Sequence, residues 1–244
     1  MAMFESLGTN KHTARIAGAL YLVVVLTGFF SMIHVPSQVV VPGDASATVG
    51  NILASEPLFR SGIVAGLACH TAFLLLPFVL YRLLGHAGKD IAVLMVAFAV
   101  ASVPASFVIL LNRLDVLSLL DNAGYLQAFT PEQLHAQVML SLDAYRNGIL
   151  VSEIFWGLWL LPFGYLVFKS GCLPRVLGIL LMMGCFGYLI NFSGKMFVPG
   201  YAETNIAAFV SLPSGLGEIG TCLWLLIVGV REPKHRAVST GSTA

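Results

Sequence analysis

Six apolar stretches, each longer than the ~17 residues that a membrane-spanning helix requires, occupy about residues 14–33, 61–83, 91–111, 149–168, 174–193 and 208–230. Chain immersed in lipid must satisfy its backbone hydrogen bonds internally, so these stretches predict an all-α, polytopic bundle of six transmembrane helices. The connections set its orientation. With a cytoplasmic N-terminus, the inside segments hold Lys11, Arg15, Arg82, Lys89, Lys169, Arg175, Arg231, Lys234 and Arg236, and the outside ones only Arg60, Arg113, Arg146 and Lys195. Nine bases against four is a positive-inside bias that places both termini in the cytoplasm. The expected organisation is a cytoplasmic segment 1–13, a transmembrane domain 14–230 and a polar, Ser/Thr-rich tail 231–244 predicted to be disordered.

At 57% hydrophobic and 10% charged, with a mean hydropathy of +0.87, the chain lies far from the roughly 25% charged residues of soluble domains. Its net charge of +1 hides an asymmetry: Asp44, Glu56, Asp115, Asp121, Glu132, Asp143 and Glu203 make the outside acidic. The bases are scattered over short loops and form no stripe for a nucleic acid. Although the first apolar run follows Lys11 and Arg15, it exceeds the ~15-residue core of a secretory signal and reads as a retained helix. Cys69, Cys185 and Cys222 fall inside spanning segments and read as small apolar residues; Cys172, in a predicted cytoplasmic loop, is the candidate reactive thiol.

Turn formers Pro42, Gly43 and Asp44 follow helix one, and Gly62 and Gly66 give helix two a GxxxG face for close contact. The short connection 85–90, with Arg82, His86 and Lys89 about it, predicts that helices two and three are antiparallel neighbours. The longest connection, about residues 115–148, contains a well-marked helix start. Thr130, Pro131 and Gln133 fit N-cap, N1 and N3 of a capping box, and Leu134, Val138, Leu142 and Tyr145 then recur at helical spacing. This predicts an amphipathic outer-surface helix over residues 131–147, which either bends at Gly148 or runs on into helix four. In the loop before helix five, Gly171 is placed to end one helix in a left-handed conformation and Pro174 to start the next at N1. Arg175 is placed to meet anionic headgroups.

Charged groups in lipid cost a few kcal/mol and face a partner, a cavity or a headgroup. Glu218 lies near the middle of helix six, and Glu153 about one turn into helix four, with Trp156 on its face. His70 is central in helix two. Asn112, Arg113 and Asp115 cluster at the outer end of helix three, as do Asn191 and Lys195 on helix five. These positions predict an outward-biased polar pocket with Glu153, Glu218, Arg60, His70, Arg113, Arg146, Trp156, Asn191 and Lys195 as ligand candidates, the two acids pairing with nearby bases. The competing reading is that each group only holds the bundle together. No zincin, nucleophile-elbow, Walker or Rossmann pattern occurs, so no catalytic residue, metal or cofactor is assigned.

Residues 152–190, SEIFWGLWLLPFGYLVFKSGCLPRVLGILLMMGCFGYLI, resemble the core of a bacterial membrane family known as domain of unknown function 4386. ARIAGALYLVVVLTGFFS from Ala14, NILASEPLFRSGI from Asn51 and SGLGEIGTCLWLLIVGV from Ser214 agree with it, and SGCLPRVLG from Ser170 is the most specific piece. The resemblance implies a multi-pass bacterial inner-membrane protein and no established activity. It draws attention to Arg60, Glu153, Trp156, Pro162, Ser170, Gly171, Pro174, Arg175, Gly178 and Glu218. The leading functional expectation is binding or transport of a small or lipid-like molecule through the outer pocket. A structural or regulatory subunit without a ligand is the alternative, and an intramembrane enzyme using Glu153 and Glu218 as an acid/base pair is third.

Overall fold

A computed structural model describes residues 2–121 and 123–230; the tail 231–244, including Arg231, Lys234 and Arg236, lies outside them. Every long element is helical: α1 Ala2–Phe29, α2 Val35–Val39, α3 Ala45–Ala54, α4 Glu56–Leu84, α5 Lys89–Leu120, α6 Pro131–Ser170, α7 Arg175–Phe197 and α8 Asn205–Ile227. Among the described residues, six helices are long and apolar enough to cross a membrane: Lys11–Val39, Glu56–Ala87, Lys89–Leu120, Pro131–Ser170, Arg175–Phe197 and Asn205–Ile227. The protein is an all-α, multi-pass membrane protein. Successive spanning helices are neighbours, and α1 also packs on α8, so the six close into a ring. Exposed Leu26, Phe29, Val64, Val108, Phe209 and Ile227 line its perimeter, where lipid replaces water.

Apolar burial drives little association between helices already in lipid; close van der Waals packing must do so, and small residues permit it. A Cβ on Gly178 would lie 2.6 Å from the Gly164 carbonyl oxygen, so α6 and α7 cross with their backbones in contact. Gly18 does the same for α1 on α8, where a Cβ would meet the Leu226 nitrogen at 2.7 Å. Inside the ring, Tyr21, Phe73, Trp159 and Phe163 form an aromatic core, with Trp159 stacked on Phe163 at 5.0 Å.

The helices outrun the membrane at one end. At ~1.5 Å per residue, the 40 residues of α6 extend about 60 Å, twice the ~30 Å hydrocarbon layer. Helix α5 continues past the expected limit near residue 111 to Leu120, because Asn112, Arg113 and Asp115 end the hydropathy without ending the helix. The amphipathic segment 131–147 is the first part of α6, continuous through Gly148; the extension of helix four, left open by sequence, is the arrangement found. Thr130 Oγ1 accepts from the Gln133 amide and Gln133 Oε1 from the Thr130 amide, completing the capping box. The apolar face of that segment turns inward. Val138 and Tyr145 pack with Val35, Val39, Val49, Ile52, Phe59 and Val116 in a second core, separate from the intramembrane one.

Local chemistry accounts for the segments that complete this lobe. Val41, Pro42, Gly43 and Asp44 form a turn closed by the Asp44 amide on the Val41 carbonyl, with Gly43 at φ +79°; proline second and glycine third suit a type II turn. Asp44 then caps α3 by accepting from the Ala47 amide at 2.8 Å. Sequence analysis placed only a turn there. At the opposite end, Gly171 is left-handed at φ +69°, as expected, whereas Pro174 occupies the N-cap of α7, one position earlier than N1.

Candidate functional site

Between α1 and α2, residues Phe30–His34 form a π turn, in which the Val35 amide reaches back five residues to the Phe30 carbonyl. Such widened turns recur at functional sites. Here the turn delivers Ser31, whose carbonyl accepts from Arg113 Nη2 at 2.8 Å and whose hydroxyl accepts from Nη1 at 3.2 Å. The GxxxG face of α4 makes room for it. Cβ atoms on Gly62 and Gly66 would lie 3.0 Å from Val35 Cγ2 and from Ser31 Oγ, respectively.

Arg113 is only 2% exposed. Its guanidinium carbon lies 4.1 Å above the Tyr145 ring, a cation–π contact made in a desolvated setting. No carboxylate among the described residues is within ion-pair distance of it. Its Nε has no hydrogen-bond partner, and the buried Tyr145 hydroxyl lies near Ser31 without a hydrogen bond of normal geometry. Beside these groups is a cavity of about 480 Å³. Val35, Val39, Phe59, Arg113 and Tyr145 form its buried floor, and exposed Pro42, Gly43 and Arg146 its rim. Asp143, also at the cavity, pairs with Arg146 at 3.0 Å.

Of the nine ligand candidates read from sequence, only Arg113 and Arg146 line this cavity. Most of the others form a polar ladder on α7, where Tyr188, Asn191 and Lys195 share one face. Lys195 Nζ donates to both carboxylate oxygens of Glu153, at 2.9 and 3.1 Å, tying α7 to α6. Asn191 donates to Ser211 Oγ at 2.7 Å and accepts from the Tyr201 hydroxyl at 3.0 Å. Glu218 accepts from the hydroxyls of Tyr21 at 3.1 Å and Tyr188 at 3.3 Å. The expectation that a base pairs with Glu218 therefore fails among the described residues, where two phenols from α1 and α7 solvate that acid instead. His70 stacks on Trp156 at 6.5 Å and meets Phe107 edge-on at 6.1 Å. Arg60 bonds Glu56 at 2.6 Å, a mostly exposed pair of the kind that contributes about 0–1 kcal/mol. Among the described residues, no group of three His, Cys, Asp or Glu side chains is arranged to hold a metal.

Residues 16–229 match the family described as domain of unknown function (DUF4386). The chain belongs to this family. A protein of Archaeoglobus fulgidus described as uncharacterized is 31% identical over 88 residues, covering 36% of this chain and 50% of that protein. The chain thus spans about half the length of that relative. No solved structure matches significantly.

In this DUF4386 protein, the family-like loop at Ser170 is a stiff corner. Ser170 Oγ donates to the Val167 carbonyl and accepts from the Cys172 amide. Cys172 is half-buried with its sulfur 3.8 Å from His86 Nε2, and burial pushes its thiol above the usual range. A raised thiol pKa leaves little nucleophilic thiolate at neutral pH. Cys172 is thus expected to alkylate more slowly than a free thiol at pH 7, with the rate still rising as pH passes that of an ordinary cysteine. A pH–rate series with a small maleimide, read by mass spectrometry, checks this; a plateau below the ordinary thiol range contradicts it.

Sequence reasoning missed Ser31, Tyr145 as an Arg113 partner, and Phe59. Ser31 had a faint signal, as a hydroxyl in an otherwise apolar run. Its meaning depends on a turn type that sequence does not specify.

Proposed function

We propose that the protein binds a small or lipid-like molecule in the cavity of its projecting lobe. The observation that carries this reading is the cavity itself: about 480 Å³, within the 300–1,000 Å³ typical of ligand sites, with mostly apolar walls and a few convergent polar groups. Met32 and Met139 in the lining give it adaptable walls. The polar ladder on α7 favours a structural role for Glu153 and Glu218, and the aromatic core packed inside the ring favours binding from one face over passage through it. The bases Lys11, Arg15, Arg82, Lys89, Lys169 and Arg175 all flank the short-connection end of the bundle. That distribution supports cytoplasmic termini, with the lobe on the outer face of a bacterial inner membrane.

The test is native mass spectrometry of protein extracted from its own membrane. Met139→Trp, which fills the cavity from a half-buried position, is expected to lose a co-purifying molecule that wild type and Glu218→Gln both retain. A molecule kept by Met139→Trp but lost from Glu218→Gln would move the site to the ladder. The absence of any co-purifying molecule from folded wild type would contradict the reading.

A further inference from the structure

We infer that the ligand is a single-chain amphiphile with an anionic headgroup, carboxylate or phosphate, held at the cavity floor formed by Arg113 and Tyr145. The inference rests on the cavity-binding reading and adds the chemical class. Three observations carry it. The first is unused hydrogen-bonding capacity. Arg113 Nε makes no hydrogen bond and the Tyr145 hydroxyl only approaches Ser31 off-geometry; both atoms lie just beneath the cavity floor that their side chains help to form, and unpaired buried donors are costly in a folded protein. Ser31 already occupies the two terminal guanidinium nitrogens through one contact each.

The second is charge. The charged lining comprises Arg113, Arg146 and Asp143, and Asp143 is engaged by Arg146 at the rim. The floor therefore keeps a cation with no counter-charge among the described residues. An uncompensated buried cation is strongly unfavourable, and an arriving acid would compensate it through charge-assisted bonds.

The third is depth and shape. Arg113 lies about 24 residues along α5 from Lys89, about 36 Å at 1.5 Å per residue. With Lys89 at one interface, that distance carries Arg113 just past the ~30 Å hydrocarbon layer, to the level of opposite-leaflet headgroups. Apolar Val35, Val39, Phe59, Leu142 and Ile149 line the space beside it. A volume of about 480 Å³ suits one acyl-length chain.

Binding is tested on the full chain in zwitterionic nanodiscs, by native mass spectrometry and competition against a fluorescent fatty acid. The probes are palmitate, lysophosphatidate, hexadecanol and two-chain phosphatidylglycerol. At least one of the two single-chain acids is expected to bind tenfold or more tightly than hexadecanol. Arg113→Gln should remove that preference, bringing the affinity for the acid down to that for hexadecanol in the same variant. Tyr145→Phe, which keeps the ring over the guanidinium, should weaken the acid several-fold relative to hexadecanol. Palmitate alone binding would identify a free acid as the source, and lysophosphatidate alone a lipid-derived headgroup. Hexadecanol matching both acids in wild type would overturn the anionic class while sparing the cavity reading. Displacement by phosphatidylglycerol would overturn the single-chain assignment. No binding by any probe to folded wild type, or binding undiminished in Met139→Trp, would overturn both.

Discussion

Gly178→Val is expected to yield no monodisperse, folded protein. The added Cβ would lie 2.6 Å from the Gly164 carbonyl oxygen and 2.7 Å from the Phe168 nitrogen. Both are backbone atoms inside a helix and cannot swing aside as a flexible side chain can. Relief requires parting α6 from α7, which removes the close contact that holds helices together in lipid. Overpacking alone costs about 1–3 kcal/mol, and the lost crossing adds to it. Gly215→Val is the control: a Cβ there meets nothing within 4 Å, so it tests valine in the same bundle without the clash. Size-exclusion profiles and thermal unfolding in detergent decide the matter. A Gly178→Val profile and melting temperature equal to those of Gly215→Val would show that the crossing is not close.

Arg113→Met is expected to leave the ligand-free protein as stable as wild type or up to about 2 kcal/mol more stable, while abolishing acid binding. Methionine approximates the reach of arginine and removes a buried charge without a counter-charge, whose effective cost in a protein is several kcal/mol. Against that gain stand the two bonds to Ser31 and the cation–π contact with Tyr145. A hydrogen bond contributes about 0.5–1.5 kcal/mol net, and a desolvated cation–π contact about 2 kcal/mol. The unpaired charge outweighs these in a site that lacks its ligand. Thermal unfolding of delipidated protein, with and without palmitate, measures both effects. A loss of several kcal/mol without ligand would make Arg113 a clasp between α1 and α5 rather than a ligand group.

The two substitutions separate what was legible in the sequence from what was not. Gly171, Thr130 with Gln133, and the turn at Pro42 and Gly43 act through neighbours within a few residues, and each is found doing locally what its type and spacing imply. The pocket candidates were harder to read, because a polar residue in a spanning helix signals that it has a partner without naming it. Glu153 and Lys195 are 42 residues apart, and Tyr21 and Glu218 are 197 apart. Their pairing is set by which helices adjoin and how each is rotated. The same limit concealed the direction of the amphipathic segment: its spacing marks an apolar face but does not distinguish a membrane surface from a protein core.

The sequence by itself determined the multi-pass helical class, the number of spans and the asymmetry of charge between their ends, because run length and lipid insertion depend on composition along the chain. Only the tertiary structure decided that the ring closes from α1 to α8, that α6 runs unbroken into a lobe, and that the polar residues separate into a ladder and an arginine-floored cavity. Those outcomes depend on helix rotation and on a π turn that offers Ser31 to Arg113 across 82 residues of chain. A one-dimensional pattern carries no coordinate for either.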